Sequence, residues 1–239
     1  MMAKDQKKKQ EATPREQLIS WAKSIAGALV LWLILRTFLV GAFHITSGSM
    51  EETLLVSDVL FVNKALYGSE IPIIKKRIPG FREPRRLDIV VFDSAEEPGL
   101  TVVKRLIGVP GDTVEMRDNV VLIDGKEMVE PYVVKGRELA DPMDSKMRLW
   151  QSRYFVGSEL EDYAPTAKNW GPLVVPPDSF LVMGDNRDFS YDSRWWGFLG
   201  RDRIGGRAMI VYFSYDRDGL LPLPFLTAIR WGRLFTILR

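Results

Sequence analysis

Residues 19–43, ISWAKSIAGALVLWLILRTFLVGAF, form an apolar run whose only charges are Lys23 and Arg36, and no other feature limits the fold of this chain so sharply. About 17–25 such residues suffice for a helix to cross a hydrocarbon core of about 30 Å. Two registers fit, residues 19–35 with Arg36 at the far interface, or residues 24–43 with Arg36 inside. The first is preferred, because a charge at the bilayer centre costs at least a few kcal/mol while one at the rim can snorkel. A cleaved leader would have an apolar core of about 7–15 residues ending at a small-residue site. This run is longer and ends in FLVGAFHI without an AxA-like site, so residues 19–43 are expected to be an uncleaved transmembrane anchor.

Orientation follows from charge. Lys4, Lys7, Lys8, Lys9 and Arg15 lie in a polar tail, residues 1–18, whereas no lysine or arginine occurs in residues 37–63. Excess positive charge stays on the cytoplasmic side, so the tail is expected inside and everything after residue 43 outside. A second apolar stretch, residues 220–238, contains Pro222, Pro224, Arg230 and Arg233 and reads as a packed or interfacial helix instead of a second span.

After residue 57 the signals are mostly those of strands: DVLFVNKAL, LDIVVFDS, LTVVKRLIGV, NVVLIDGKEMV, SFLVMGD and GRAMIVYFSY. They are rich in valine, isoleucine and aromatics, and Asp124-Gly125 sits between two of them as a hairpin turn. The fold expected is mainly β: an antiparallel, partly closed barrel formed by residues 44–116 and 176–239, with a smaller inserted β region at 117–175. Within the latter, residues 135–175 mix charge, proline and aromatics without a period. The basic run KKRIPGFREPRR, residues 75–86, reads as a solvated loop, with contact to anionic lipid heads as the alternative.

Composition excludes several chemistries. The 33 basic residues barely outnumber the 31 acidic ones, so no global field steers the chain to nucleic acid. There is no cysteine, hence no disulfide and no thiolate catalysis, and the single histidine, His44, rules out multi-histidine metal sites. The acidic stretch GDNRDFSYDSRWWG, residues 184–197, looks superficially like a calcium loop but lacks that loop's glycine and its closing glutamate. No metal or other cofactor is expected.

Hydroxyl chemistry remains. ITSGSMEETL, residues 45–54, sets two serines around Gly48 just beyond the apolar run. A serine nucleophile needs a base, and with only His44 available, five residues from Ser49 and with no GxSxG elbow present, a serine-histidine-aspartate triad is a poor fit. A lysine serves as base only when neutral, which requires burial to lower its pKa from about 10.4 toward roughly 8. Lys104 lies inside TVVKRLIGV, where strand alternation gives it Val102 and Leu106 as same-face neighbours. The alternative is a lysine at a sheet edge pointing to water. Ser20 and Lys23 also have SxxK spacing, but they sit at the start of the apolar run and are set aside.

Three segments in order, SGSM at 47–50, VVKRLIGVPGDTVE at 102–115 and MGDNRDFSYDSRWWG at 183–197, resemble the signature boxes of bacterial type I signal peptidases, as does the preceding apolar segment. The resemblance implies a single-pass endopeptidase of the cytoplasmic (inner) membrane, with its catalytic domain on the outer side, that cleaves signal peptides from exported preproteins. Its partners would be those preproteins and membrane lipid. By position, Ser49 would be the nucleophile and Lys104 the general base. Ser47 would donate to the oxyanion beside the Ser49 N–H, and Ser190 would orient the lysine amine. Asp192 and Arg194 would pair to hold their loop, which Gly184 and Asp185 shape. Phe43, Ile45, Met50, Leu54 and Val102 would form shallow pockets for the small residues of an AxA-like site, with the peptide bound as an added strand. Gly48 is expected to allow a tight turn that lets Ser47 and Ser49 converge on one carbonyl.

The family usually has a proline before SGSM and another two residues after its methionine; here those places hold Thr46 and Glu52. Trp195 and Trp196 are expected either at the lipid surface or in the core. Two other functions fit the same residues: a serine-lysine protease acting on another membrane protein, and an inactive membrane-tethered binding module.

Overall fold

The computed structural model describes residues 13–34, 40–68, 70–71, 76–77, 79–94, 96–97, 99–134, 141–219 and 221–238. It opens with helix α1, Pro14–Ile34. A capping box starts it: Thr13 N–H donates to Glu16 Oε2 at 2.8 Å while Glu16 N–H faces Thr13 Oγ1 at 3.4 Å, and Pro14 stands at the first helical position, where no N–H is needed. The helix begins earlier than the apolar run and carries Arg15, Glu16, Gln17 and Lys23. Among the described residues no helix is long and apolar enough to cross a membrane. The far end of the expected anchor is corrected outright, because Val40–His44 is strand β1, paired antiparallel with Asp58–Asn63, strand β2. Residues 35–39 lie outside the described residues.

The remaining strands are β3 (Glu70–Ile71), β4 (Lys76–Arg77), β5 (Ile89–Asp93), β6 (Thr101–Gly108), β7 (Thr113–Arg117), β8 (Val120–Ile123), β9 (Lys126–Glu127), β10 (Trp170–Val174), β11 (Ser179–Met183), β12 (Leu199–Gly200), β13 (Ile204–Ser214) and β14 (Thr236–Ile237). The main sheet runs β1-β2-β13-β5-β6-β11-β12, with β14 added to β13, and its pairings are antiparallel. It does not close into the expected partial barrel. Closure needs continuous staggered pairing around the ring, whereas this sheet has two ends, β1 and the two-residue β12, which no pairing joins among the described residues.

Period-two alternation divides the core. In β5, Ile89 and Val91 face one cluster with Leu54, Leu60, Val62 and Val211, while Val90 and Phe92 face another with Leu106, Phe180, Val182 and Ile204. A four-stranded sheet, β10-β7-β8-β9, packs a third cluster, including Val114, Met116, Trp170 and Leu173, against Ile107, Leu181 and Met183. The short helix α2, Ser145–Gln151, contributes Met147 to it and is capped by Asp144, whose Oδ1 accepts from Met147 N–H at 2.8 Å.

Two further expectations change. The apolar stretch near the end is not one packed helix: Pro222 and Pro224 keep a helix from extending upstream of α4 (Pro224–Thr227), a single turn that stops at Ala228, and β14 follows. The basic run is no freely solvated loop in its described part, since Arg82 pairs with Asp88 and Arg86 with Asp112, each at 2.8 Å.

Candidate active site

Ser49 sits in a single 3₁₀ turn, Gly48–Met50, between β1 and β2. The entry is fixed by Ile45 N–H to Asp58 O and Ser57 N–H to Ile45 O, both at 2.8 Å. Met50 and Leu54 anchor the exit by packing into the core. Ser47, extended at φ −127° and ψ 154°, places its Oγ 3.4 Å from Ser49 Oγ. Gly48 is not in the left-handed region, and a Cβ there would make only an ordinary contact with Glu51 Oε2 at 3.4 Å, so the turn does not demand glycine for backbone reasons.

Lys104 comes from β6, paired with Val90 of β5 and flanked on its own face by Val102 and Leu106. It is only 3% exposed, Ser49 only 8%, and Lys104 Nζ lies 2.6 Å from Ser49 Oγ. Burial pulls the amine from 10.5 down to about 8; Asp192 draws it back up, Arg194 pushes it down and Asp185 draws it up again. His44 is exposed and stacks on Tyr215, with ring centroids 6.1 Å apart.

The segment after β11 closes the site. Asn186 N–H donates to Ser49 O at 3.1 Å, and its side-chain amide reaches Gly48 O and Glu51 Oε2, also at 3.1 Å. Gly184 is needed sterically, since a Cβ there would lie 2.5 Å from Ser49 O. Its N–H donates to Asp192 Oδ2 at 3.0 Å. Asp192 caps a helical turn, α3 (Ser193–Trp196), and receives Arg194 Nε at 2.9 Å and Nη2 at 3.0 Å. Burial raises the Asp192 carboxyl, but the Arg194 guanidinium and the hydrogen bonds to the carboxylate together outweigh it and hold the group below its usual range. Asp185 turns away from that pair and takes Arg105 bidentately, at 2.9 and 2.7 Å. Ser190 Oγ is buried without a well-formed hydrogen bond among the described residues, although it lies close enough to the Asp192 carboxylate to help lower it, and the orienting bond expected from it to Lys104 is not formed among them.

A cleft runs past Ser49 on both sides. One chamber, about 240 Å³, is lined by Ile45, Ser47, Met50, Val102 and Val103. The other, about 290 Å³, lies between Phe92, Lys104, Phe189, Tyr191 and Trp196, with Glu96 and Glu97 at its rim. Leu54 and Phe43 line neither: Leu54 is wholly buried in the core and Phe43 packs against the same cluster. Trp195 and Trp196 both pack on core clusters.

Four polar residues at this site went unread in the sequence: Thr53, Arg105, Asn186 and Arg187. Arg105 carried a usable signal, because alternation puts the residue after an inward lysine on the opposite face, where a buried guanidinium needs a carboxylate. For Glu130, which pairs with Arg187, no local signal exists, since the partner is supplied by tertiary structure.

The family model described as "Signal peptidase, peptidase S26" matches residues 18–213. Signal peptidase I of Leptolyngbya laminosa is 36% identical over 214 residues, covering 87% of this chain and 85% of that one. Signal peptidase I of Pseudomonas fluorescens is 33% identical over 219 residues, covering 87% and 76%. A crystal structure of a signal peptidase I from Enterococcus faecalis is 32% identical and covers 53% of this chain and 97% of its own, with a TM-score of 0.36. The class is that of serine endopeptidases. The chain belongs to the signal peptidase family, peptidase S26.

Proposed function

We propose that this protein removes signal peptides from exported preproteins, with Ser49 as nucleophile and a neutral Lys104 as general base. The observation that carries the reading is the 2.6 Å approach of a buried, pKa-depressed amine to the Ser49 hydroxyl. An amine titrating near 8 is a free base in a useful fraction of molecules at neutral pH, while remaining basic enough to accept a hydroxyl proton as the C–O bond forms.

In the acylation step Ser49 Oγ attacks the scissile carbonyl and its proton passes to Lys104 Nζ. The oxyanion is received by the Ser47 hydroxyl and the Ser49 N–H, and one such donor is typically worth about 3–4 kcal/mol. Lys104 then protonates the departing amine, and a water activated by the same amine hydrolyses the acyl-enzyme. The chamber of Ile45, Met50 and Val102 suits small apolar side chains on the acyl side, which supports an AxA-like site. Ser190 and the Asp192–Arg194 pair would hold the amine's surroundings, and membrane attachment would run through α1, whose exposed Leu18, Trp21, Ile25 and Leu29 favour lipid over water. The basic tail would then lie in the cytoplasm and the β domain on the outer side.

Cleavage of a purified preprotein in detergent or vesicles tests the chemistry. Ser49→Ala is expected to abolish turnover and Lys104→Ala to reduce it by at least about 10²-fold. The wild-type rate should rise with pH through about 8. Full activity in either variant, or a profile set near 6.5 by an imidazole, would remove the mechanism.

A further inference from the structure

The short segment 130–134 touches the catalytic framework at three separate points. Glu130 pairs with Arg187, which is 2% exposed and whose Nε donates to Gly184 O at 3.1 Å. The Tyr132 ring lies under the Arg105 guanidinium, 3.8 Å from carbon to centroid, while its hydroxyl donates to Glu130 Oε1 at 2.9 Å. Val134 N–H donates to Asp185 O at 3.2 Å. Each contact falls beside a group that the site depends on. Gly184 is wedged against Ser49 O, Arg105 follows Lys104 directly in β6, and Asp185 ties Arg105 to the loop that carries Ser190, Asp192 and Arg194. The loop is held from its other end as well, where Arg187 O accepts Arg194 Nη2 at 2.6 Å.

We propose that segment 130–134 is a clasp in which Glu130 and Tyr132 are positioning residues, holding β6 and residues 184–194 together so that the Lys104 amine stays dry against Ser49. This rests on the serine-lysine reading above. Neither residue touches substrate or the reacting atoms. Glu130 neutralises a buried guanidinium that would otherwise be an unpaired interior charge, and losing one member of such a pair is far more disruptive than its surface equivalent. The Tyr132 ring covers the planar face of Arg105, which excludes water from one side of the Arg105–Asp185 pair.

The charged groups that face the Lys104 amine are Asp192 and Arg194 on the loop and Asp185 beside it, with Glu96 and Glu97 at the rim of the same cleft. None of these belongs to the clasp. Loosening it therefore acts on the amine through hydration, and admitted water lets the amine titrate closer to a free lysine. Each unit of rise removes about tenfold of the neutral amine at any pH well below both values.

The test is the pH profile of preprotein cleavage by the full chain carrying Glu130→Gln, Tyr132→Leu or Tyr132→Phe, with Ser49→Ala as control and the folded fraction of each followed by circular dichroism. For Glu130→Gln and Tyr132→Leu, kcat at pH 7.5 should fall about tenfold with KM within about twofold, and should recover to within about threefold of wild type at pH 9.5. Tyr132→Phe keeps the ring and should stay within about threefold throughout. A loss equal at both pH values, matching a lower folded fraction, means the segment is merely structural and overturns the proposal; so does wild-type behaviour in both disruptive variants. Should one of them not fold, the other decides. Retained turnover in Ser49→Ala would instead defeat the serine-lysine reading, whatever the clasp variants do.

Discussion

In the folded chain the Lys104 amine titrates near 8, against 10.5 for an exposed lysine. Below pH 8 the group is charged in both folded and unfolded states, and the folded state bears the full cost of keeping that charge dry, about 3 kcal/mol. As pH rises from 8 to 10.5 the folded amine is already neutral while the unfolded one still binds its proton, so stability climbs and the cost disappears. Lys104→Met is therefore expected to be inactive yet more stable than wild type at pH 6–7. The gain, up to about 3 kcal/mol, should shrink to nothing near pH 10.5. Urea unfolding of both proteins at pH 6.5 and 10 checks it: a methionine variant less stable at pH 6.5 would mean that the amine is well solvated or favourably paired. The burial of Lys104 was legible in the sequence because strand alternation sets its amine between aliphatic neighbours on one face, and a depressed pKa is what the cost of that burial produces. Ser190 was not, because whether a hydroxyl finds a partner depends on sub-ångström placement that no local pattern encodes.

At the scale of elements, the turn from Ser49 into β2 holds Glu52 at φ +73°, at the place where the resemblance led one to expect a proline. A proline, fixed near −65°, cannot take that conformation. The two residues that follow are committed elsewhere, Thr53 Oγ1 to Asp185 and Leu54 to the core, so a backbone change here cannot be absorbed downstream. Glu52→Gly should stabilise by up to about 1 kcal/mol by relieving the left-handed strain. Glu52→Pro should destabilise by about 2 kcal/mol or more and lower kcat, as read by thermal unfolding and preprotein cleavage. A stable, fully active proline variant would mean that the turn re-forms in another geometry. The strands themselves were readable wherever alternation or a valine-rich run outweighed local competition, as in IVVFD of β5 and the Asp124-Gly125 hairpin. Helix α2 was not. Seven residues, SKMRLWQ, show too little of a helical period, and tertiary bonds hold it, among them Trp150 Nε1 to Arg194 O at 3.0 Å.

For the whole molecule, the question is what α1 contributes when the chemistry lies in the β domain. Which strands pair, and whether a sheet closes, depends on residues far apart in sequence, so the open sheet could not be read from strand patterns alone; an apolar run, by contrast, announces itself without tertiary information. Its downstream limit was blurred because residues 40–43 continue the apolar composition of the run, although the backbone there pairs with β2. This pairing makes part of the connection to the site a structured strand, and the fifteen residues from Ile34, the last of α1, to Ser49 span at most about 50 Å. A lipid-bound α1 would thus keep the nucleophile close to membrane-held substrate, converting a three-dimensional encounter into a tethered one with an effective concentration near the millimolar range. A chain beginning at residue 40 should then cleave a soluble peptide with kcat/KM within about threefold of the full chain, while its rate on a vesicle-bound preprotein at micromolar enzyme falls on the order of 10²-fold. Equal rates on the vesicle-bound preprotein would show that α1 does not deliver the site to its substrate, and loss of the soluble-peptide activity would show that α1 supports the fold instead.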